Sequence, residues 1–434
     1  MSQIRPLIAC IAVALAAIPA SALASPVDDG GRTPVARPGS PQASKRALSA
    51  SELRNELSQA LASAGGQSGA WVLDTDAASN EPLFTSNAST ERVPASNQKL
   101  FTTAAFLDQL GPEGRLETRA YAIGKLGGSG QSVLDGDLVI VGDGDPAFGT
   151  ARFARSSDQP VTRVATLAAN VARTGVERIT GRILADDTIF DRIRRDGPDL
   201  SPLSGLSFNN GYDDGSYASD PELVAAKGLK NALRKRGVTV GGRVGRENLT
   251  DAELSEEPLA AVTSPPAKAL IEETNVPSNN FFAEMLLKRV GATTGKTGTR
   301  RRGASVVEAF AESLGSEVQA VDGSGLSRRN NVSPAEVGDL LAGMSEDGDA
   351  AAAFRGSLPI AGREGTVADR MRGTAAEGNC ATKTGTLDGV SALSGYCDAG
   401  GHTIAFSILN NGVDVNAARS AQDRMAAAIA RYQP

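Results

Sequence analysis

The fold is decided by residues 96–112, which run SNQKLFTTAAFLDQLGP. Apolar side chains recur at helical spacing over residues 100–110, and Gly111-Pro112 is a helix stop signal. The pattern predicts a helix with Ser96 in its first turn. Because positions i and i+3 share one face of a helix, we expect the Lys99 amine to reach the Ser96 hydroxyl.

This Ser-Lys pair has the composition of an activated nucleophile. A serine hydroxyl is a weak nucleophile until a base takes its proton, and a partly buried lysine with a lowered pKa can be that base. A helix N-terminus also offers free N–H groups to an oxyanion that forms at the serine. Taken alone, the pair has a second interpretation, in which Ser96 caps the helix and Lys99 is solvated.

Two further motifs follow along the chain. Ser278-Asn279-Asn280 precedes a helical pattern, and Lys383-Thr384-Gly385-Thr386 lies in a strand pattern. The order Ser-x-x-Lys, Ser-x-Asn, Lys-Thr-Gly is the signature of penicillin-recognising serine enzymes. The chain therefore resembles the low-molecular-mass penicillin-binding proteins that are D-alanyl-D-alanine carboxypeptidases and endopeptidases. The 182 positions from Ser96 to Ser278 leave room for the large inserted domains of that branch.

The resemblance extends from about residue 50 to residue 432 and implies roles for three side chains. Lys99 would be the base for acylation, and Ser278 would relay a proton toward the leaving D-alanine nitrogen. Asn280 would contact the substrate amide and Lys99. Further segments that look like the same family's are 136–146, 322–327, 358–362 and 365–366.

The third motif supplies a site for a substrate carboxylate. A peptide that ends in a free carboxylate needs a cation beside the nucleophile, and Lys383 on a predicted edge strand provides one. The Thr384 and Thr386 hydroxyls are further donors. We expect the carbonyl oxygen under attack between the backbone N–H groups of Ser96 and Thr386. We expect no cofactor and no metal ion.

Two segments repeat parts of these motifs. Lys296-Thr297-Gly298-Thr299 matches the third motif, but the residues up to Gly303 include no apolar side chain to build a strand, so we predict a polar loop between helices. Ser207-Phe208-Asn209 matches Ser-x-Asn but lies in a Gly- and Asn-rich region. We predict that both segments have a structural role and take no part in catalysis.

The chain is predicted to be α+β. A penicillin-binding, serine β-lactamase-like transpeptidase domain, an antiparallel sheet with helices, is expected over residues 48–112 and 263–434. Residues 113–262 mix short apolar strands, Gly-rich loops and helices, which predicts a large inserted α+β region. Residues 25–47 are rich in Pro, Gly, Ser and Ala and are predicted to be a flexible linker.

Residues 1–24 predict export. Arg5 precedes an apolar run, and Ala22-Leu23-Ala24 offers a signal-peptidase cleavage site. A lipoprotein-like box that ends at Cys10 has too few residues before it for lipidation. No later apolar run reaches the roughly 18–20 residues of a membrane span. We expect a mature protein without a transmembrane span, in the periplasm or outside the cell at the wall.

Composition argues against several classes of function. A formal net charge of −6 leaves no basic surplus for nucleic-acid phosphates, so we expect no nucleic-acid partner. The single histidine, His402, excludes a His-x-x-x-His metalloprotease and leaves one ring for a Ser/His/Asp triad. Since the lysine motif already supplies a base, we predict that His402 is structural or exposed.

A disulfide between Cys380 and Cys397 is predicted from hairpin arithmetic. If Asp388-Gly389 is a two-residue turn, the two cysteines face each other across the strands as a non-hydrogen-bonded pair. Such pairs bring Cα atoms to about 4.5 Å, at the short end of what a disulfide tolerates. The same register places Lys383 opposite Ser394. Two free buried thiols are the alternative.

The sequence therefore predicts an exported serine-type D-Ala-D-Ala carboxypeptidase or endopeptidase. It would act on peptidoglycan stem peptides through an acyl-enzyme at Ser96, with β-lactams as covalent inhibitors. A serine β-lactamase and a noncatalytic cell-wall-binding protein are the alternatives. The sequence leaves open whether a terminal D-alanine is released or a cross-link is opened, because both reactions attack the carbonyl of a D-alanine.

Overall fold

The computed structural model describes residues 46–195, 201–213, 215–292, 297–346 and 348–434. Residues Ala43–Pro434 form one compact unit. The predicted signal peptide, nearly all of the predicted linker and Lys296 lie outside the described residues. Within the ranges given above, no helix has both the length and the hydropathy that a membrane span requires.

Helices and strands are numbered in chain order. The first part contains α1 (Ala50–Ala62), β1 (Gln67–Asp74), β2 (Phe84–Ser86) and α2 (Gln98–Leu110). The middle part contains β3 (Glu117–Gly127), β4 (Val133–Val141), β5 (Phe148–Gly149), α3 (Ala151–Ser157), β6 (Thr162–Arg163), α4 (Val164–Arg173), β7 (Arg178–Ile179), β8 (Ile183–Asp186), β9 (Tyr212–Asp213), β10 (Ser216–Tyr217), α5 (Pro221–Arg234), β11 (Thr239–Val240), β12 (Val244–Arg246), α6 (Asp251–Leu254) and β13 (Ala260–Thr263). The last part contains α7 (Ala267–Asn275), α8 (Asn280–Ala292), α9 (Arg300–Ser313), α10 (Pro334–Gly343), α11 (Asp349–Gly356), β14 (Cys380–Leu387), β15 (Val390–Ala399), β16 (His402–Asn411) and α12 (Val415–Ile429).

The first sheet joins the two ends of the chain. Its strands are antiparallel in the order β14-β15-β16-β1-β2, so the strand that carries Lys383 lies at one edge, as predicted. Successive side chains of β1 point to opposite faces. Trp71 belongs to a core cluster with Phe101 of α2 and Leu341 of α10, whereas Val72 belongs to a second cluster with Leu53 of α1. Both faces of the sheet are therefore covered by helices.

The middle part of the chain builds a second, mixed sheet. Its strand order is β11-β7-β4-β3-β13, and β8 pairs in parallel with β4 and β12. Helices α4 and α5 cover it and share a separate core cluster, to which Leu138, Leu167 and Leu229 belong. We propose that residues 113–262 are the inserted region, because this sheet and its core are built from that part of the chain.

The β14–β15 hairpin has the predicted register. Leu387 pairs with Val390 across the turn, and Lys383 pairs with Ser394. Cys380 pairs with Cys397, and the two form a disulfide with Cα atoms 4.0 Å apart. The disulfide therefore lies three residues along β14 from Lys383.

We expect the double substitution Cys380→Ala, Cys397→Ala to lower the free energy of unfolding by about 3 kcal/mol. The disulfide closes a loop with a sequence separation of 17, and the chain-entropy model gives this stabilisation for such a loop. Denaturant unfolding of both proteins measures the difference. Non-reducing peptide mapping of the wild type provides the check, since recovery of two free thiols from oxidised protein would contradict the bond.

Two helices depart from the expectations. Helix α9 begins at Arg300, whereas the segment up to Gly303 was predicted to be a polar loop. Its first turn is polar and gives no periodic signal, but Thr299 caps it by accepting from the Arg302 N–H at 3.1 Å. Helix α11 was not predicted, because its alanine-rich segment buries only Phe354 completely.

Candidate active site

Ser96 lies in a 3₁₀ turn, Ala95–Asn97, that runs directly into α2. Ser96 therefore lies two residues before α2, and the prediction that it lies in the first turn of this helix was wrong. Ala95 adopts a positive φ of 49°, which bends the chain just before the serine. Asn97 Nδ2 donates to Ser394 Oγ of β15 at 2.7 Å and holds this turn against the sheet.

Two glycines allow other segments to approach the Ser96 turn. A Cβ atom at Gly385 of β14 would lie 2.6 Å from the Pro94 carbonyl oxygen and 3.1 Å from the Ser96 nitrogen. Gly325 has a positive φ of 83°, and a Cβ atom there would overlap the Ala95 carbonyl oxygen. The glycine of the Lys-Thr-Gly motif is thus needed for close packing of the edge strand against the Ser96 turn.

Lys99 is fully buried and donates to three acceptors. Its Nζ atom lies 3.0 Å from Ser96 Oγ, 2.7 Å from Asn280 Oδ1 and 2.6 Å from the Ser324 carbonyl oxygen. The Lys99 amine thereby links Ser96 of the first motif to Asn280 of the second motif, and the loop at Ser324 provides its third hydrogen-bond acceptor.

Burial lowers the pKa of Lys99 to about 7, although the Glu284 and Asp322 carboxylates act in the opposite direction. Desolvation disfavours the ammonium form, whereas nearby negative charge favours it. Glu284 is fully buried and accepts from the Gly323 and Ser324 N–H groups at 3.0 and 2.9 Å. Lys99 can therefore hold or release a proton near neutral pH.

Lys383 joins the second motif to the third. It is fully buried, and its Nζ atom donates to Ser278 Oγ at 2.9 Å and to the Thr384 carbonyl oxygen at 3.0 Å. Burial, followed by the charge of Lys99, keeps the pKa of Lys383 well below its ordinary value. Ser278 has a positive φ of 63°, an uncommon conformation for a residue with a side chain.

The two threonines of the third motif have different environments. Thr384 is nearly buried, and its hydroxyl donates to Thr366 Oγ1 at 2.7 Å. Thr386 is exposed and accepts from Arg419 Nη2 at 3.1 Å. Arg419 of α12 therefore brings a guanidinium group to the open end of the motif.

The hairpin register fixes the direction of the Thr386 N–H group. Leu387 and Val390 close the two-residue turn as a hydrogen-bonded pair, so the next pair, Thr386 with Ser391, is non-hydrogen-bonded. The N–H groups of such residues point away from the partner strand. On the edge strand they face outward, as the Thr382 N–H does when it donates to the Pro359 carbonyl oxygen at 2.9 Å. The Thr386 N–H group therefore points to the open edge.

Four further residues support the site and were given no role from sequence. Ser324 and Thr366 lie in segments that resemble the family, but their pattern carries no indication of function. Glu284 lies among apolar residues in the sequence of α8. Its hydrogen-bond partners, Gly323 and Ser324, are about 40 positions away along the chain. Arg419 is one of several arginines of the chain, and only the packing of α12 brings it to Thr386.

The described residues of the motif repeats lie outside this cluster. Ser207 Oγ is 3.9 Å from Met285 Sδ, and Asn209 Oδ1 accepts from the Thr150 N–H group at 2.9 Å. The Thr299 end of the other repeat caps α9. Both observations agree with a structural role.

His402 has a structural environment. His402 Nδ1 lies 2.8 Å from Asp74 Oδ2, in a pair that joins the ends of β16 and β1. Within the described residues, Asp76 is also near enough for the three side chains to surround an ion. Asp76 Oδ2 already accepts from the Thr403 N–H group at 2.6 Å, and Asp74 Oδ1 from the Asp76 N–H group at 3.1 Å. These hydrogen bonds fix the arrangement of the three side chains.

Comparison with known proteins identifies the class. The model of the D-Ala-D-Ala carboxypeptidase 3 (S13) family matches residues 52–202 and 214–432. The chain belongs to this family. A D-alanyl-D-alanine carboxypeptidase of Actinomadura sp. (strain R39) is 33% identical over 477 aligned residues, which cover 88% of this chain and 85% of that protein. Carboxypeptidase DacB of Mycolicibacterium smegmatis is 27% identical and covers 82% of this chain, with 79% of its own length aligned.

Solved structures show the same fold. Penicillin binding protein 4 (dacB) from Haemophilus influenzae matches with a TM-score of 0.69 at 22% identity, over 85% of this chain and 97% of that chain. The peptidoglycan endopeptidase Bd3459 from Bdellovibrio bacteriovorus matches with a TM-score of 0.53 at 18% identity, over 79% and 85% of the two chains. The predicted α+β fold and the predicted family of serine D-Ala-D-Ala peptidases are both confirmed.

Proposed function

We propose that this protein hydrolyses the peptide bond after a D-alanine in peptidoglycan stem peptides, with Ser96 as the nucleophile. The observation that carries the proposal is the 3.0 Å contact between Lys99 Nζ and Ser96 Oγ. Burial brings the pKa of this lysine to about 7, so a neutral amine is available to take the serine proton.

Acylation would use the geometry around Ser96. Lys99 Nζ takes the hydroxyl proton as Ser96 Oγ bonds to the carbonyl carbon of the penultimate D-alanine. The oxygen of that carbonyl becomes an oxyanion, which the Ser96 and Thr386 N–H groups stabilise. Asn280 Oδ1 accepts from Lys99 and leaves its side-chain NH₂ group as the donor to a substrate carbonyl.

Ser278 would deliver the proton to the leaving group. Lys383 Nζ donates to Ser278 Oγ at 2.9 Å, so the serine hydroxyl keeps its own proton for another acceptor. When the tetrahedral intermediate collapses, the C–N bond breaks and the nitrogen of the leaving amino acid gains a proton through Ser278. That proton is replaced from Lys99. Water then attacks the ester, which releases the peptide carboxylate and restores the Ser96 hydroxyl.

The substrate carboxylate would bind at the third motif. Thr384 and Thr386 supply hydroxyl groups, and Lys383 supplies an amine whose pKa burial keeps low in the empty site. A carboxylate beside Nζ adds the opposite charge and favours the protonated form. Arg419 carries its positive charge whether or not a substrate carboxylate is bound, and its guanidinium group donates to the Thr386 hydroxyl.

Lys383→Ala is expected to reduce kcat/KM by roughly 10- to 150-fold. It removes a charge-assisted contact worth about 1.5–3 kcal/mol. Steady-state hydrolysis of a stem peptide measures the change, and Lys296→Ala, in the repeated motif, is the matched control with little expected effect. A large loss for Lys296→Ala with little loss for Lys383→Ala would show that the substrate carboxylate binds at the other Lys-Thr-Gly motif.

Arg419→Gln is expected to raise KM by about 10-fold for peptides that end in a free carboxylate. The same variant should change KM little for the corresponding C-terminal amide, which carries no charge. Arg424→Gln, on the same helix but bonded to Ser63 Oγ, is the control. An equal change in KM for the acid and the amide would exclude recognition of the carboxylate by Arg419.

The surroundings of the enzyme follow from the same proposal. Its substrate lies outside the cytoplasmic membrane, which agrees with the export predicted for residues 1–24. β-Lactams, whose amide carbonyl can be attacked in the same way, would acylate Ser96 as covalent inhibitors.

Product analysis tests the proposed function. Purified protein is incubated with stem pentapeptides, with cross-linked peptide dimers and with penicillin, and the products are identified by mass. Loss of a terminal D-alanine indicates carboxypeptidase activity, and opening of the dimer indicates endopeptidase activity. Rapid turnover of penicillin with both peptides intact would instead identify a β-lactamase, and three intact compounds would identify a noncatalytic binding protein.

A further inference from the structure

The middle part of the chain contains a strongly basic segment. Residues 223–246 include seven cations and no carboxylate, in a chain whose formal net charge is −6. The cations are Lys227, Lys230, Arg234, Lys235, Arg236, Arg243 and Arg246. Several of them lie on α5, where Lys227, Asn231 and the C-cap residue Lys235 follow one another at i, i+4 spacing on one face.

This face of α5 forms one wall of a cavity of about 630 Å³. The volume falls within the range of small-molecule binding sites. Phe208 and Tyr212 supply aromatic surface to its lining. Gly228 of α5 allows the Phe208 ring to lie against the helix, since a Cβ atom at residue 228 would be 2.6 Å from that ring. The cavity is therefore built by close packing between α5 and the loop that carries Phe208.

Cations converge on this cavity from two elements. Arg163, immediately before α4, lines it together with Lys227, Lys235 and Arg236. Among the described lining residues, Asp213 is the only carboxylate, and it pairs with Lys227 at 3.4 Å. In the described part of the chain, no ion pair joins Arg163, Lys235 or Arg236 to an acidic side chain. Their positive charges are thus available to an anionic ligand.

We propose that this cavity binds an anionic group of the cell-wall polymer, a carboxylate or a phosphate, apart from the peptide bond that is cut. The inference rests on the proposed function, because that function places the protein at a polymer whose stem peptides carry carboxylates. The cations would bind the anion and the aromatic side chains would pack against the adjoining sugar or peptide. The middle part of the chain would then hold the polymer while Ser96 acts on a stem peptide.

Co-sedimentation with insoluble cell wall tests this proposal. All proteins carry Ser96→Ala, so that the polymer stays intact. The cavity variant is Arg163→Gln, Lys235→Gln, and the matched control is Arg234→Gln, Arg243→Gln, which removes the same charge from exposed positions that do not line the cavity. We expect about 10-fold weaker binding for the cavity variant and less than about 2-fold for the control.

Two preparations of the wall distinguish the sources of the anion. Wall stripped of phosphodiester polymers by acid keeps its peptide carboxylates, so binding that survives stripping assigns a carboxylate, and binding lost with stripping assigns a phosphate. Equal sedimentation of the cavity variant and the control on both preparations would overturn the proposal. Hydrolysis of a short stem peptide by the wild-type protein, measured in parallel, tests the proposed function separately.

Discussion

Ser96→Ala is expected to lower kcat/KM for D-Ala-D-Ala peptides by at least about 10³-fold. The substitution removes the oxygen that would form the ester, and no other hydroxyl accepts a hydrogen bond from Lys99 Nζ among the described residues. The turn that carries Ser96 should persist, because Asn97 and Ser394 hold it. Release of D-alanine from a stem pentapeptide measures the effect.

The matched control is Ser207→Ala. Ser207 begins the repeated Ser-x-Asn segment, and among the described residues the one hydrogen bond of its hydroxyl is to Met285 Sδ at 3.9 Å. Its activity should stay near that of the wild type. Comparable losses in the two variants, with thermal unfolding unchanged, would contradict the assignment of Ser96.

Lys99→Met is expected to slow acylation by about 10²- to 10⁴-fold, the contribution of a positioned general base. Methionine keeps an apolar chain of similar length in the buried site but cannot take the serine proton. Stopped-flow acylation by a chromogenic β-lactam measures the step directly. Lys268→Met, an exposed lysine that pairs with Glu113, should acylate at the wild-type rate.

The pH profile provides a second readout of Lys99. The deprotonated amine is the active form, so wild-type kcat/KM should rise with pH and level off above the pKa, which burial sets at about 7. The rising limb should disappear from the residual activity of Lys99→Met. If kcat/KM of Lys99→Met still rose with pH around the same midpoint, the titrating group would be one other than Lys99.

Local patterns predicted much of the fold and site because their residues are fixed by short-range geometry. Helical spacing placed Lys99 one turn from Ser96, and the two-residue turn set the register that pairs Cys380 with Cys397. The edge position of β14 was also predicted. Period and turn geometry alone determine the Ser96–Lys99 spacing and the hairpin register.

Other features depend on packing between distant segments. Ala95, whose positive φ precedes the Ser96 turn, lies against the Gly325 loop. The contact of Glu284 with the Ser324 loop and that of Arg419 with Thr386 join separate elements. The low pKa of Lys383 comes from burial and from Lys99, which lies far from it in sequence. No local pattern encodes such contacts.

The location of the acyl bond tests the assignment of Ser96 as the nucleophile. The wild-type protein is incubated with penicillin, its mass is measured intact, and the digest is mapped by tandem mass spectrometry. We expect one adduct, on the peptide that contains Ser96, and no adduct on Ser96→Ala. An adduct on any other residue, or unchanged labelling of Ser96→Ala, would contradict this assignment.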